Sequence, residues 1–508
     1  MPANKNTASN STKRSSANAV SIRQILPDSN PVRGTDIRVS SCCNVAQQCE
    51  PGDVFVVAED GHFDTFEQAE LAIAKGAMAV VTESILPIRV PQFIVEDGNV
   101  AFSAICHALA GSPSNKMCTV GITGSYGKTT TQMLLAGVLE AAGHNVGAVG
   151  SLGNCDGMIA TAKSPTTEGA PALSEWLRRM DMNDVSHALI EADSESLMRR
   201  HLSGIGLDAA VVTNIRREHL ELHGSLDNLR KAKARIFDSL KPGGFAVVNA
   251  DDAGCKRLLG ELTCPTMTYS MNQDAEVTAT VVERHPSEQT FLLEAGTDSI
   301  AVRTHIIGDQ HVQNCLAAAC VGLVLGIDLP TIAKGLESLQ QLPTRLERIE
   351  CGQEFSVFVD GSTSTESLAE TLSTLRSVTS NRVLCVVNPF TDISPAQRAA
   401  MGRVLERFTD ECILTEDVDR PEQSNICVHD VLDGFDRPAT CRLMPNRAKA
   451  ICLALGEAEP GDTVLLVGNP RNAVACEEKD KSRFFDRNIA QYWLRTIGTS
   501  KSSPWLTV

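Results

Sequence analysis

The sequence predicts a three-domain α/β protein, and three observations predict it. The chain has 508 residues, which at roughly 150 residues per domain gives about three domains. Short apolar runs alternate with amphipathic helical stretches through its middle, the pattern of a mainly parallel sheet covered by helices. The same alternation restarts after Leu342-Pro343, so the last third reads as a further, Rossmann-like domain.

Composition narrows the class. Hydrophobic residues make up 43% and charged residues 21%, enough for several cores and too apolar for a disordered chain. The net charge of −16 has the wrong sign for a protein that grips polyphosphate chains, so no nucleic-acid partner is expected. Seventeen cysteines are scattered without a C-x-x-C pair and read as reduced thiols, with neither a disulfide framework nor a zinc site. No apolar run approaches the roughly 20 residues of a spanning helix, and the first residues lack a hydrophobic signal core. A cytoplasmic monomer without a membrane span is expected.

The elements follow in order. Residues 1–18 are Ser, Asn, Lys and Thr with almost nothing to bury, a disordered tail. Residues 19–115 form a small α/β domain, with buried strands at 53–58 and 77–81 and a helix over 65–75 between them. The turn-rich Gly111-Ser112-Pro113-Ser114-Asn115 closes it. Residues 116–342 form the central domain, with strands at 118–123, 188–191, 209–213 and 245–249. Residues 343–508 form the last, with strands at 356–360, 383–387, 412–415 and 463–468 and helices over 396–408 and 447–457.

The chemistry concentrates at Thr123-Gly124-Ser125-Tyr126-Gly127-Lys128-Thr129-Thr130-Thr131, where a strand gives way to a helix carrying Leu134, Leu135, Val138 and Leu139. Glycines let the backbone turn tightly and aim its N–H groups at an anion, Lys128 neutralises phosphate charge, and the Thr129 hydroxyl can hold Mg²⁺. The spacing departs from GxxxxGK[ST], since the glycines stand at 121, 124 and 127.

This loop resembles the ATP loop of the Mur ligase family, the amide-forming enzymes that build the peptidoglycan stem peptide. Gly150-Ser151-Leu152-Gly153-Asn154 and Ser164-Pro165-Thr166-Thr167-Glu168 are similar to segments that meet the UDP-muramoyl substrate. Thr213-Asn214-Ile215-Arg216-Arg217-Glu218-His219-Leu220-Glu221-Leu222-His223-Gly224 resembles the family's TN…HL…HG signature, and the segments at 231–237, 249–252 and 308–314 follow in the family's order. Glu50 to Ala58 and Lys75 to Val81 look like the UDP-binding domain of the MurE branch, which adds the third residue. The likeness covers residues 21–350 well and the remainder in outline.

The resemblance implies an ATP-dependent ligase that adds an amino acid to UDP-N-acetylmuramoyl-L-Ala-D-Glu through an acyl phosphate. It implies that Gly124, Ser125, Gly127, Lys128, Thr129, Thr130, Asn314, Arg345 and Asp360 bind nucleotide, and that Thr166, Thr167 and Ser194 meet the substrate. Thr129, Glu191, His219 and Lys233 would support Mg²⁺, with Lys128, His219 and Lys233 catalytic and Lys233 carbamylated. His311 stands where the family usually has Asn. Without any family, the residues alone give an α/β ATP-dependent enzyme with Lys128 and Thr129 at a triphosphate and Glu191, at a strand's C-terminal end, at Mg²⁺.

The acceptor half departs from the family. Asp360-Gly361-Ser362-Thr363-Ser364-Thr365 keeps only the Asp of Asp-Tyr-Ala-His, Glu416-Asp417-Val418-Asp419-Arg420 replaces Asp-Asn-Pro-Arg, and Gly468-Asn469-Pro470-Arg471-Asn472 replaces Gly-Lys-Gly-His-Glu. Glu195 takes the place of a His, and Ser41-Cys42-Cys43 that of an Asp-Ser-Arg. An active ligase with altered acceptor contacts is the first reading, and a non-catalytic paralogue that binds nucleotide or UDP-sugar is the alternative. A folylpolyglutamate-type ligase is disfavoured by the UDP-domain-like first segment.

Overall fold

The structure is a computed structural model and describes residues 19–57, 64–161, 169–218, 220–391, 393–416, 421–468 and 486–496. The expected tail, residues 1–18, lies outside the described residues. The chain divides into two compact units, 1–278 with 316–335, and 279–315 with 336–508.

The first unit holds two sheets. The smaller runs in the order Asn30–Val32, Gln92–Ile94, Ala79–Thr82, Val54–Val56, Cys42–Cys43, parallel except where Asn30–Val32 joins antiparallel. Helix Thr65–Ala74 starts where the Asp64 carboxylate accepts from the N–H groups of Phe66 and Glu67, an N-cap that satisfies otherwise orphaned donors.

The larger sheet has a parallel centre in the order Val146–Gly150, His187–Glu191, Cys118–Thr123, Leu207–Val212, Leu240–Asn249, Thr266–Ser270. These strands are covered on both faces and read as unbroken apolar runs. Ala188 and Ile190 meet Leu173, Leu177 and Met180 of helix Ala170–Met182, while helix Lys128–Ala141 buries Leu134, Leu135, Val138 and Leu139. The chain leaves Cys118–Thr123 to one side, returns between, and then crosses to the other side at Leu207–Val212. That reversal leaves a crevice at the strands' carboxyl ends.

The larger sheet is mainly parallel, as expected, with antiparallel additions. Short antiparallel strands Gly153–Cys155 and Ala160–Thr161 extend one edge. In the second unit Glu288–Ala295 and Asp298–Thr304 form an antiparallel hairpin around Gly296, whose φ of 62° is left-handed. Alternate residues of Glu288–Ala295 are buried, the pattern of a strand with one wet face.

The second unit's main sheet has the order Glu347–Arg348, Ser356–Asp360, Thr463–Val467, Val383–Val387, Glu411–Leu414, Cys441–Leu443. All but the first pairing are parallel. Val383, Cys385 and Val387 pack on Leu368, Leu372, Met401 and Leu405; Leu384 and Val386 face Ile451, Leu455, Ala490 and Leu494. Period-two alternation thus places helices on both faces, a doubly wound sheet. Helices Thr365–Val378 and Pro395–Phe408 both begin with capping boxes, Ser364 with Ser367 and Ser394 with Gln397. Among the described residues no helix is long and apolar enough to cross a membrane.

A buried guanidinium ties the carboxyl ends of this sheet together. Arg447 donates to both Asp486 oxygens at 2.8 and 2.5 Å, to Asn388 Oδ1 at 2.6 Å and to the Val467 carbonyl at 3.0 Å. Removing one partner of such a pair leaves an uncompensated buried charge, at a cost of about 3–5 kcal/mol. Asp486→Ala should lower the denaturation midpoint by a corresponding amount, and Arg447→Met with Asp486→Leu should recover most of it in the same urea titration.

Candidate active site

The site begins with backbone geometry at the end of strand Cys118–Thr123. Gly124 and Gly127 have φ of 152° and 82°, values that L side chains rarely adopt. Helix Lys128–Ala141 starts at Gly127 without a side-chain cap, so the first turn's N–H dipoles are left for an anion. A Cβ on Gly124 would lie 1.9 Å from Thr213 Oγ1, so only glycine fits.

The loop is braced from the neighbouring strand end. Thr213 Oγ1 donates to the Tyr126 carbonyl at 2.6 Å, and Asn214 Nδ2 donates to the same oxygen at 3.0 Å. Tyr126 N donates to Asn214 Oδ1 at 2.9 Å, and Ser125 N to the Asn214 carbonyl at 2.9 Å. Ser125 Oγ donates to the Arg216 carbonyl and accepts from Arg216 N. Lys128 Nζ folds onto the loop, donating to the Gly124 and Ser125 carbonyls at 2.8 and 3.2 Å. A phosphate would offer this ammonium a better acceptor than neutral carbonyls.

Beside the loop lies a cluster of oxygen donors. Thr129 Oγ1 is 2.8 Å from Ser151 Oγ and donates to Glu191 at 3.0 and 3.1 Å. Ser151 N and Oγ donate to Glu191 Oε2 at 3.0 and 3.1 Å. Glu191 is buried at the end of its strand, and Gly150 makes room, since a Cβ there would come within 3.0 Å of Glu191 Oε2. Two hydroxyls and a carboxylate on rigid elements suit a hard divalent cation such as Mg²⁺. Thr130 is buried in the same helical turn.

Lys233, on helix Leu226–Ala234, is fully buried and donates to Glu218 Oε1 at 2.7 Å. Burial pushes its ammonium down to about 8; the Lys128 charge adds to the effect and Glu218 opposes it. Ser194 starts helix Ser194–Met198 and its hydroxyl lies 2.9 Å from His223 Nε2. Thus Gly124 to Thr130, Glu191 and Lys233 cluster in the first unit. His219, Thr166 and Thr167 lie outside the described residues.

Asn314, Arg345 and Asp360 belong to the second unit. Asn314 is buried on helix Asp309–Val324. His311, one turn earlier, lies 3.6 Å from Cys315 Sγ, and burial lowers its imidazole to about 3. Asp360 accepts from Leu346 N and Ser362 N, both at 3.0 Å, and from Thr371 Oγ1 at 3.3 Å. The Leu346 bond, with those from Thr344 N to Glu347 Oε2 at 3.1 Å and from Gly361 N to the Thr344 carbonyl at 2.7 Å, holds Thr344 and Leu346 in left-handed conformations, φ 59° and 43°, on either side of Arg345. Strain of that kind persists only where surroundings over-determine it. Glu195, in the place of the family's His, is paired on the surface with Arg199 at 2.9 Å.

Residues 122–322 match the family model of the Mur ligase middle domain, and residues 344–469 match that of the Mur ligase glutamate ligase domain. A UDP-N-acetylmuramoyl-L-alanyl-D-glutamate–2,6-diaminopimelate ligase of Geobacillus thermodenitrificans is 30% identical over 449 residues, 87% of this chain and 92% of that protein.

The chain belongs to the Mur ligase family.

A UDP-N-acetylmuramyl-tripeptide synthetase of Roseiflexus is 32% identical, covering 82% of this chain and 87% of its own length. Among solved structures, a UDP-N-acetylmuramoyl-L-alanyl-D-glutamate–2,6-diaminopimelate ligase aligns with a TM-score of 0.68 at 25% identity, over 89% of this chain and 94% of that one. The Thermotoga maritima MurF ligase in complex with ADP, at 18% identity and a TM-score of 0.60 over 89% of this chain and 97% of its own, shares the fold.

Thr213, Asn214, Ser151 and Glu218 also touch the candidate site, and the sequence assigned none of them an individual role. Each stood inside a quoted motif, and only the fold reveals what each touches. Asn214→Ala removes two side-chain bonds to the loop at about 1 kcal/mol each, so the Kd for ATP should rise roughly tenfold or more by calorimetry. An unchanged Kd would show that the brace is dispensable.

Proposed function

We propose that this chain is a working MurE-type ligase, forming an amide between UDP-N-acetylmuramoyl-L-alanyl-D-glutamate and an amino acid at the expense of ATP. The observation that carries the reading is the joint presence of the braced phosphate loop, the Thr129–Ser151–Glu191 cluster and the buried Lys233. A binding-only paralogue needs no buried amine with a depressed pKa, and such groups are costly to keep.

The loop and Lys128 hold the triphosphate, and Lys128 neutralises charge as the γ-phosphoryl moves to the substrate carboxylate. An oxygen of that carboxylate attacks phosphorus, giving an acyl phosphate and ADP; the amine of the incoming amino acid then displaces phosphate. Thr129, Ser151 and Glu191 would hold Mg²⁺, which supplies charge neutralisation at the phosphates. Asn314, Arg345 and Asp360 would bind nucleotide, as the resemblance implies, Asp360 also fixing the turn that carries Arg345, while Ser194 with Thr166 and Thr167 would meet the UDP-muramoyl peptide. His219 would support the metal. Residues 19–115 would bind the UDP end, 116–342 ATP, and 343–508 the acceptor, in a cytoplasmic monomer.

Lys233 acts as a carbamate. An amine whose pKa is about 8 has far more neutral form near neutrality than an ordinary lysine, and the neutral form attacks CO₂. Since deprotonation increases as pH rises through about 8, carbamate formation at fixed dissolved CO₂ should increase over the same range. NMR in isotopically labelled bicarbonate should show one carbamate carbon that Lys233→Arg removes. A signal identical in both proteins would contradict the assignment.

The activity is tested by phosphate release and product mass with MgATP, the UDP-muramoyl dipeptide and a panel of amino acids. One amino acid should yield an amide, and Lys128→Ala should reduce the rate by about 10²–10³. Binding of ATP or UDP-sugar without turnover by any amino acid would leave the paralogue.

A further inference from the structure

The small sheet of the first unit carries a feature the ligase chemistry does not use. Cys43 ends strand Cys42–Cys43, Cys49 follows the turn Ala46–Gln48, and Asp53 precedes strand Val54–Val56. Their ligating atoms all lie within 4.8 Å of one another, and the three residues are 0%, 5% and 3% exposed. The spacing Cys-x5-Cys-x3-Asp follows no standard zinc signature, so spacing alone pointed to no metal site here. The fold closes it by bringing the two ends of the 44–52 connection onto adjacent parallel strands.

The Asp53 carboxylate is already oriented. Oδ1 accepts from Ser41 Oγ, and Oδ2 accepts from Glu50 N at 2.8 Å. Metal-ligating carboxylates are held by such outer hydrogen bonds, which fix their direction and leave further lone pairs free. Cys42 points to the opposite face, where its sulfur lies 3.6 Å from Cys106, so it does not compete. The trio also falls in the segment where Ser41-Cys42-Cys43 departs from the family pattern.

We infer that Cys43, Cys49 and Asp53 form a binding site for a thiophilic divalent cation of the Zn²⁺ class, which pins the 44–52 connection to the sheet. Two thiolates and a carboxylate are three corners of a tetrahedron with sulfur ligands at about 2.3 Å and oxygen at about 2.0–2.2 Å. A water fills the fourth corner. Each thiol loses its proton to solvent as the ion enters.

Co²⁺ serves as the probe. The full-length chain, reduced with a phosphine and stripped of metal, should bind one equivalent with thiolate-to-cobalt charge-transfer absorption in the near ultraviolet, and Zn²⁺ should bleach it. Cys43→Ser and Cys49→Ser should lose the band, whereas Cys351→Ser, in the other unit, should keep it. Because the serine variants could misfold, the wild-type chain supplies a second arm. Zn²⁺ should protect Cys43 and Cys49 from alkylation and slow hydrogen exchange across 41–57, leaving Cys351 reactive. A folded wild-type chain that shows no thiolate band, or no change in alkylation of these two cysteines, would overturn the site.

Discussion

The site depends on one constraint. A loop that binds phosphate through its backbone must leave some of its amides open, and therefore needs bracing from neighbouring elements. Here Thr213 and Asn214 hold it from the adjacent strand end through the Tyr126 carbonyl and amide. The parallel pairing of Leu207–Val212 with Cys118–Thr123, Val212 opposite Thr123, puts that brace in reach. On the other side the pairing of Glu191 with Ile122 brings the carboxylate to Thr129. Sheet register thus sets the geometry of the chemistry; Gly124 leaves room for Thr213, and a Cβ at Gly150 would meet Gln132 Oε1 at 2.3 Å and Glu191 Oε2 at 3.0 Å.

Electrostatics add a second layer. Lys128 and Lys233 are near enough for one charge to depress the other's pKa, and Glu218 moderates the conflict. Two cations in a small volume are costly without anions, so the arrangement favours a polyphosphate against Lys128, while Glu218 pairs with Lys233 at 2.7 Å. In the second unit the opposite solution appears. Arg447 is spent entirely on Asp486 and neighbouring oxygens, so it organises the sheet's carboxyl ends and has no spare fork for a substrate carboxylate.

Much of this was legible in the sequence, because the phosphate loop is local: strand, glycines, Lys128, Thr129 and helix are contiguous. Glu191 was legible from its position at a strand's end. Ser151 and Glu218 were not, since their partners lie 22 and 15 residues away and meet only through the fold. The buried strands of the doubly wound sheet read clearly as apolar runs, whereas the hairpin Glu288–Ala295 with Asp298–Thr304 has one wet face and a mixed composition that hides it. The Cys43–Cys49–Asp53 trio escaped for a similar reason: the turn Ala46–Gln48, not a short metal-binding spacing, brings it together.

The ligase reading requires a substrate carboxylate oxygen to attack the γ-phosphate. It is tested most directly by labelling the glutamyl carboxylates of the UDP-muramoyl dipeptide with heavy oxygen and weighing the phosphate released during turnover. An acyl-phosphate route predicts transfer of one labelled oxygen to each phosphate formed with product. Phosphate carrying only solvent oxygen would mean that water attacks ATP, and would rule out the acyl-phosphate route.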